Sequence, residues 1–234
     1  MIREHDRTLP VIALDGNHRT GKGTQLDILS DSLRRYGYSP LVLRGDGTRP
    51  GAGCSDSDPY STWWQEFAAF ESLHENQYDA WRKAACLLIA EAAMRAAAMP
   101  PNGILLFDRS SVSRAQMTLK EGLPLETNAM YTHGIGEKYL SSIDQATVLP
   151  DITIALDADA DVLLSRLSAD DPKYSFRRTN IVNSNQFFRT AISAYDAYGS
   201  GLIYTFDASR DPSEIATEIL CVTMDKINSE KKKG

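Results

Sequence analysis

The sequence predicts an α/β fold in three layers, with a five-stranded parallel sheet flanked by helices. Two observations carry that expectation. Five short apolar runs recur along the chain, ending at glycine, aspartate or arginine, as strands buried on both faces do. Segments with helical spacing stand between them, and strands alternating with helices give a parallel sheet covered on both sides. The 234 residues, 42% hydrophobic and 24% charged, suit one such domain, expected over residues 1–230 with a basic tail at 231–234.

Pro10 to Asp15 (PVIALD) is the first strand. Leu26, Ile28, Leu29 and Leu33 then space a helix from Gly23 to Tyr36, which Gly37 ends. Leu41 to Arg44 is a second strand, and Gly45 to Pro59 a loop too long for a plain connection. Trp63 to Met99 reads as one or two helices. Ile104 to Asp108 is the third strand, followed by a serine-rich turn into a helix, and Asn128 to Gln145 is helical. Ile152 to Asp157 is the fourth strand, Asp159 to Leu167 a helix, Leu202 to Phe206 the fifth strand, and Pro212 to Ile227 the closing helix.

Gly16-Asn17-His18-Arg19-Thr20-Gly21-Lys22-Gly23-Thr24 follows the first strand and opens the first helix. That context is what a phosphate cradle needs. Backbone N–H groups must turn inward, which calls for glycine, and the helix N-terminus adds its positive end. Lys22 would reach the β- and γ-phosphates as a point charge, in a G-x-x-x-x-G-K pattern whose hydroxyl comes one place late, at Thr24. The expected fold is therefore that of a P-loop NTPase. Asp108-Arg109-Ser110 falls at the carboxyl end of the third strand, the edge where parallel sheets bind ligands. An aspartate there suits magnesium, and an arginine grips phosphate with its planar fork. Arg166, Lys173, Arg177 and Arg178 surround a polar stretch, about 168–180, that joins two helices and suits a lid supplying cations to a transferring phosphoryl group.

With these residues in view, the chain resembles the thymidylate kinase family of nucleoside monophosphate kinases, from about Val11 to the last helix. The GKGTQ run at Gly21 to Gln25 is similar to adenylate-kinase-type loops, and Pro150 to Asp157 (PDITIALD) to the family's PDLTxxLD strand. Arg44 with Gly45-Asp46-Gly47-Thr48 resembles the R-E-P-G-G-T turn that contacts the acceptor phosphate, a task Arg109 would share. Arg19 is similar to the catalytic arginine that some members carry inside the loop. The resemblance implies a cytoplasmic homodimer using ATP and Mg²⁺, with Thr24 and Asp108 toward the metal. Lys22, Arg19, Asp108, Arg177 and Arg178 would be catalytic, with Gly16 to Thr24 and Arg166 on ATP. Asp15, Arg44, Asp46, Arg109, Trp64 and Tyr131 would face the acceptor.

Three departures concern that acceptor. His18 stands where family loops carry an aspartate that contacts the acceptor sugar, and the R-E-P-G-G-T turn lacks its glutamate and proline. The run Leu87 to Glu91 resembles LLFAADR, but Ile89 replaces the base-stacking Phe and Ala93 the base-reading Arg. Losing both contacts costs about a hundredfold in discrimination, at roughly 1–3 kcal/mol for each. Tyr60, Trp63, Trp64, Phe67 and Phe70 form an aromatic-rich segment that offers replacements.

The remaining composition excludes more than it assigns. A net charge of −6 provides no global field for a polyanion, so no nucleic-acid partner is expected. No apolar run approaches the roughly 20 residues that span a bilayer. The N-terminus, charged at Arg3, His5, Asp6 and Arg7, is not a signal peptide, so a cytoplasmic location is expected. Cys54, Cys86 and Cys221 show neither metal-ligand nor disulfide spacing. Three readings stay open. One is ATP- and Mg-dependent phosphorylation of dTMP or a related pyrimidine nucleotide. Another is a kinase of the same fold acting on a modified nucleotide, a specialised metabolite or a polynucleotide base. The third is a non-catalytic nucleotide-binding regulator.

Overall fold

The computed structural model describes residues 9–44, 95, 98–125, 150–171, 173–198 and 201–231. Within them lie strands β1 (Val11–Gly16), β2 (Ser39–Arg44), β3 (Gly103–Asp108), β4 (Ile152–Asp157) and β5 (Leu202–Asp207). The helices are α1 (Lys22–Arg35), α2 (Ser111–Lys120), α3 (Ala160–Ser165), α4 (Tyr174–Ser193), α5 (Tyr195–Tyr198) and α6 (Pro212–Lys231). The expected loop at 45–59 and the expected helix at 128–145 lie outside the described residues, as do nearly all of 63–99.

The five strands form one sheet in the order β2-β3-β1-β4-β5, and every neighbouring pair is parallel. The expected five-stranded parallel sheet with flanking helices is the fold observed. β1 sits at the centre and is buried along its whole length, as its continuous apolar run requires. β2 and β5 form the edges; β2 carries Pro40, which a central strand would not tolerate, and Leu202 of β5 is exposed.

Alternation along the strands divides the core between two faces. On one, Ile12, Leu14, Ile104, Leu106, Ile152 and Ile154 pack with Leu26, Leu29 and Leu33 of α1 and Ile215, Ile219 and Ile227 of α6. On the other, Ala155 meets Val112 and Ala115 of α2, Phe188 and Ala191 of α4, and Tyr195. The Tyr195 hydroxyl and the Thr153 hydroxyl lie 2.8 Å apart, so these two buried polar atoms satisfy each other.

Strand parallelism places all five carboxyl ends on one edge, with Arg44 beside Asp108, Gly16 beside Leu156, and Asp157 beside Asp207. At the opposite edge Asp151 joins β4 to β1. Its carboxylate accepts a 2.7 Å bond from the Val11 N–H, and its own N–H donates to the Val11 carbonyl at 2.7 Å. The Pro150-Asp151 pair that opens the PDITIALD run is thus a fastening at the edge remote from the loop. No helix among the described residues is long and apolar enough to cross a membrane.

Candidate functional site

Two glycines shape the loop between β1 and α1. A Cβ on Gly16 would lie 2.6 Å from the Thr20 hydroxyl and 2.9 Å from the Leu156 carbonyl, so the chain has no room for a side chain there. Gly21, at φ 87°, precedes α1 in the left-handed region that glycine enters without strain. Between them Arg19 also takes a left-handed conformation, at φ 66°, and Arg109 does so at φ 76° at the end of β3. Non-glycine residues rarely occupy that region, and each such position stores roughly 1–3 kcal/mol.

Three cations hold three carbonyls of this loop. The Lys22 ammonium donates to Asn17 O at 3.2 Å, the Arg109 guanidinium to Gly16 O at 3.3 Å, and Arg166 to Arg19 O at 3.3 Å. Arg166 also donates to the Ala208 carbonyl at 2.7 Å, tying the loop to the end of β5. The Thr20 hydroxyl donates to Asn17 O at 3.0 Å, and the Asn17 side chain accepts the His18 N–H at 2.9 Å. Asn185 of α4 accepts from Asn17 and donates to the Ala158 carbonyl at 3.2 Å, so α4 fastens both the loop and the end of β4. Gly23 and Thr24 stand in the first turn of α1, with Thr24 exposed.

His18 is half-buried, its ring edge-on to Phe176 with centroids 6.3 Å apart. Burial first, and then the positive charges of Arg109, Lys22, Arg177 and Arg19, push its pKa down to about 3. The imidazole is therefore neutral at pH 7 and adds no fifth positive charge. The same four charges concentrate positive potential near the N-terminus of α1.

Arg19 and Arg177 both contact Oδ2 of Asp171, whose side chain is 5% exposed against 35% and 28% for the two arginines. The Lys173 N–H bonded to Oδ1, with Arg19 and Arg177, holds the Asp171 carboxyl below the usual carboxylate range, although burial pulls the other way. Asp171 carried no role in the sequence reading, but with Asp170 it puts acid into a stretch otherwise rich in cations, a signal that was available. The stretch 168–180 is also more regular than a polar connection, since its residues from Tyr174 onward are the first turns of the 20-residue α4. Arg178 is exposed on that helix, whereas Arg177 contacts Asp171 and acts by its charge on His18.

Asp15, expected to face the acceptor, lies near the end of β1. It is fully buried, and its carboxylate accepts the Ser110 N–H at 2.9 Å, the Ser110 hydroxyl at 2.8 Å, the Ser113 N–H at 3.2 Å and the Ser113 hydroxyl. A residue of β1 thus caps α2, for which no side chain of Ser110 serves. Asp108 is partly buried at the end of β3, beside Arg109, which also reaches the Ser113 hydroxyl at 3.5 Å. Asp46, Trp64, Tyr131 and the side chain of Arg44 lie outside the described residues.

No cluster of three or more His, Cys, Asp or Glu side chains suited to a metal ion occurs among the described residues. The Thr24 hydroxyl and the Asp108 carboxylate are nonetheless oxygen donors of the kind a hard Mg²⁺ ion takes, and such an ion usually draws most of its shell from phosphates and water. No protein-family model matches the chain.

Proposed function

We propose that the chain is an ATP- and Mg²⁺-dependent kinase that transfers the γ-phosphoryl group to a nucleoside monophosphate, dTMP or a related pyrimidine nucleotide. The observation that carries this reading is the convergence of Lys22, Arg19, Arg109 and Arg177 on one glycine-flanked loop at a helix N-terminus. Phosphoryl transfer asks little covalent chemistry of a protein and much positioning of cations, and this arrangement supplies the cations.

Bound at Thr24 and Asp108, Mg²⁺ would neutralise charge on the β- and γ-phosphate oxygens. The chain's own groups do the rest. Lys22 turns from the Asn17 carbonyl to the β- and γ-phosphates, and Arg19 and Arg177 offset the charge that grows on the transferred group. Arg109 holds the acceptor phosphate near the end of β3, with Arg44 beside it on the neighbouring strand. The acceptor phosphate oxygen is already a nucleophile and needs no general base. His18, neutral, offers a hydrogen bond to the acceptor side. By the same reading, which rests on the thymidylate-kinase-like residues, the chain is a cytoplasmic homodimer.

The test is ADP release from Mg-ATP with a panel of dTMP, dUMP, dCMP, dGMP, AMP and 5-substituted pyrimidine nucleotides, run against Lys22→Ala. Turnover on a pyrimidine nucleotide, abolished in Lys22→Ala with an unchanged circular-dichroism spectrum, is the expected result. A fully active Lys22→Ala overturns the reading. Turnover only on a different acceptor keeps the donor half and replaces the acceptor, and nucleotide binding without turnover on any acceptor favours a regulator.

A further inference from the structure

Asp171 is a carboxylate seated between two arginines, Arg19 and Arg177, which meet at the same oxygen. Arg19 comes from the loop after β1 and Arg177 from the first turn of α4, so nothing local brings them together. Two guanidiniums this close repel unless an anion lies between them. A carboxylate in that position has two possible uses. It can plug the anion site until a phosphate displaces it, or it can hold the two cations from behind.

Exposure decides between these uses. Asp171 is 5% exposed, whereas Arg19 keeps 35% and Arg177 28% of their side-chain surface open. The carboxylate is therefore the covered member, and the two arginine side chains keep more of their surface open. Its Oδ1 accepts the Lys173 N–H at 2.9 Å, a local contact that involves neither arginine. A plug would sit at the mouth with the arginines beneath it.

We infer that Asp171 is a positioning residue, whose carboxylate gathers Arg19 and Arg177 into one paired cation for the polyphosphate bound at the Gly16–Thr24 loop. The inference deepens the kinase reading and rests on it for its ligand. The pair belongs to the transferred group more than to the resting nucleotide, because its cations offset charge that grows during transfer. Disturbing it acts on kcat ahead of KM.

The variants are Asp171→Asn, which keeps an oxygen for the Lys173 N–H while losing the charge, and Asp171→Glu. Asp171→Asn is expected to lower kcat about 10- to 100-fold with the KM for ATP within about threefold of wild type, and Asp171→Glu to recover most of the loss. In chains labelled with ¹⁵N-arginine, Arg19 and Arg177 should show resolved, hindered guanidinium signals. Those of both residues should average in Asp171→Asn, with assignment from Arg19→Lys and Arg177→Lys. Unchanged kcat in Asp171→Asn, tighter ATP binding with full kcat, or arginine signals indifferent to the substitution would each overturn the inference. A wild-type chain that turns over no acceptor overturns the kinase reading instead, and the arginine signals then still decide whether Asp171 holds the pair.

Discussion

Protonating His18 in the folded chain is costly, and the cost can be read as a pH dependence of stability. Its folded pKa of about 3 lies below the 6.5 of an unperturbed histidine, so the unfolded chain binds the extra proton between those values. Stability is then complete above pH 6.5, declines as pH falls through that window, and levels off near pH 3. At pH 5 the unfolded imidazole is almost fully protonated and the folded one almost fully neutral. The difference of about 1.5 pH units from 6.5 amounts to about 2 kcal/mol lost relative to pH 8. Urea unfolding at pH 8 and pH 5, for wild type and His18→Asn, isolates the term because other titrating groups are common to both chains. The variant should lose about 2 kcal/mol less than wild type across that interval. Equal losses would refute the reasoning, as would a His18 ring-proton titration with its midpoint near 6.5. Inorganic tripolyphosphate should raise that midpoint, since it offsets the arginine and lysine charges that contribute to the shift.

Two further outcomes follow from the loop and the cap. Asp15→Ala leaves the Ser110 and Ser113 N–H groups and hydroxyls without their shared acceptor in a fully buried position. It should cost about 3 kcal/mol by urea unfolding, and a loss under about 1 kcal/mol would show the cap to be dispensable. Gly16→Ala drives a methyl to 2.9 Å from the Leu156 carbonyl, which cannot swing aside as a side chain can. A cost of about 1–3 kcal/mol together with loss of tripolyphosphate binding in calorimetry is expected, whereas wild-type binding would mean that the loop tolerates the shift.

The sheet was legible because buried parallel strands are short, continuous and apolar. Ile152–Asp157 was placed to the residue, and the other strands within one or two positions of where they fall. The Gly16–Thr24 loop was legible for a related reason, since glycine spacing, a strand before and a helix after are all local. What escaped was non-local. Asp15 reads as a strand-end carboxylate, and its partners at Ser110 and Ser113 are 95 and 98 positions away. The start of α4 was read as part of a polar connection because Tyr174 to Asn180 carries no apolar periodicity. What holds that helix down is Asn185 and the Asp171 contacts, together with Phe188 further along. Asp171 and Arg177 are only six residues apart, but the third partner, Arg19, is 152 positions from Asp171.

Arg19 and Arg109 share a backbone conformation that glycine adopts freely. At those two positions thermodynamic stability and electric charge make opposite demands on the sequence. Glycine would relax the fold, and arginine burdens it with strain that any selection for stability alone would remove. A chain under pressure only to persist in solution would drift toward glycine at both sites, whereas one under pressure to handle a polyanion would not. If the proposed function holds, the two residues offer a record of selection that is independent of any motif: among diverging copies of this sequence, loss of that function should show itself first as glycine, asparagine or aspartate at 19 and 109, while the buried strands stay as they are.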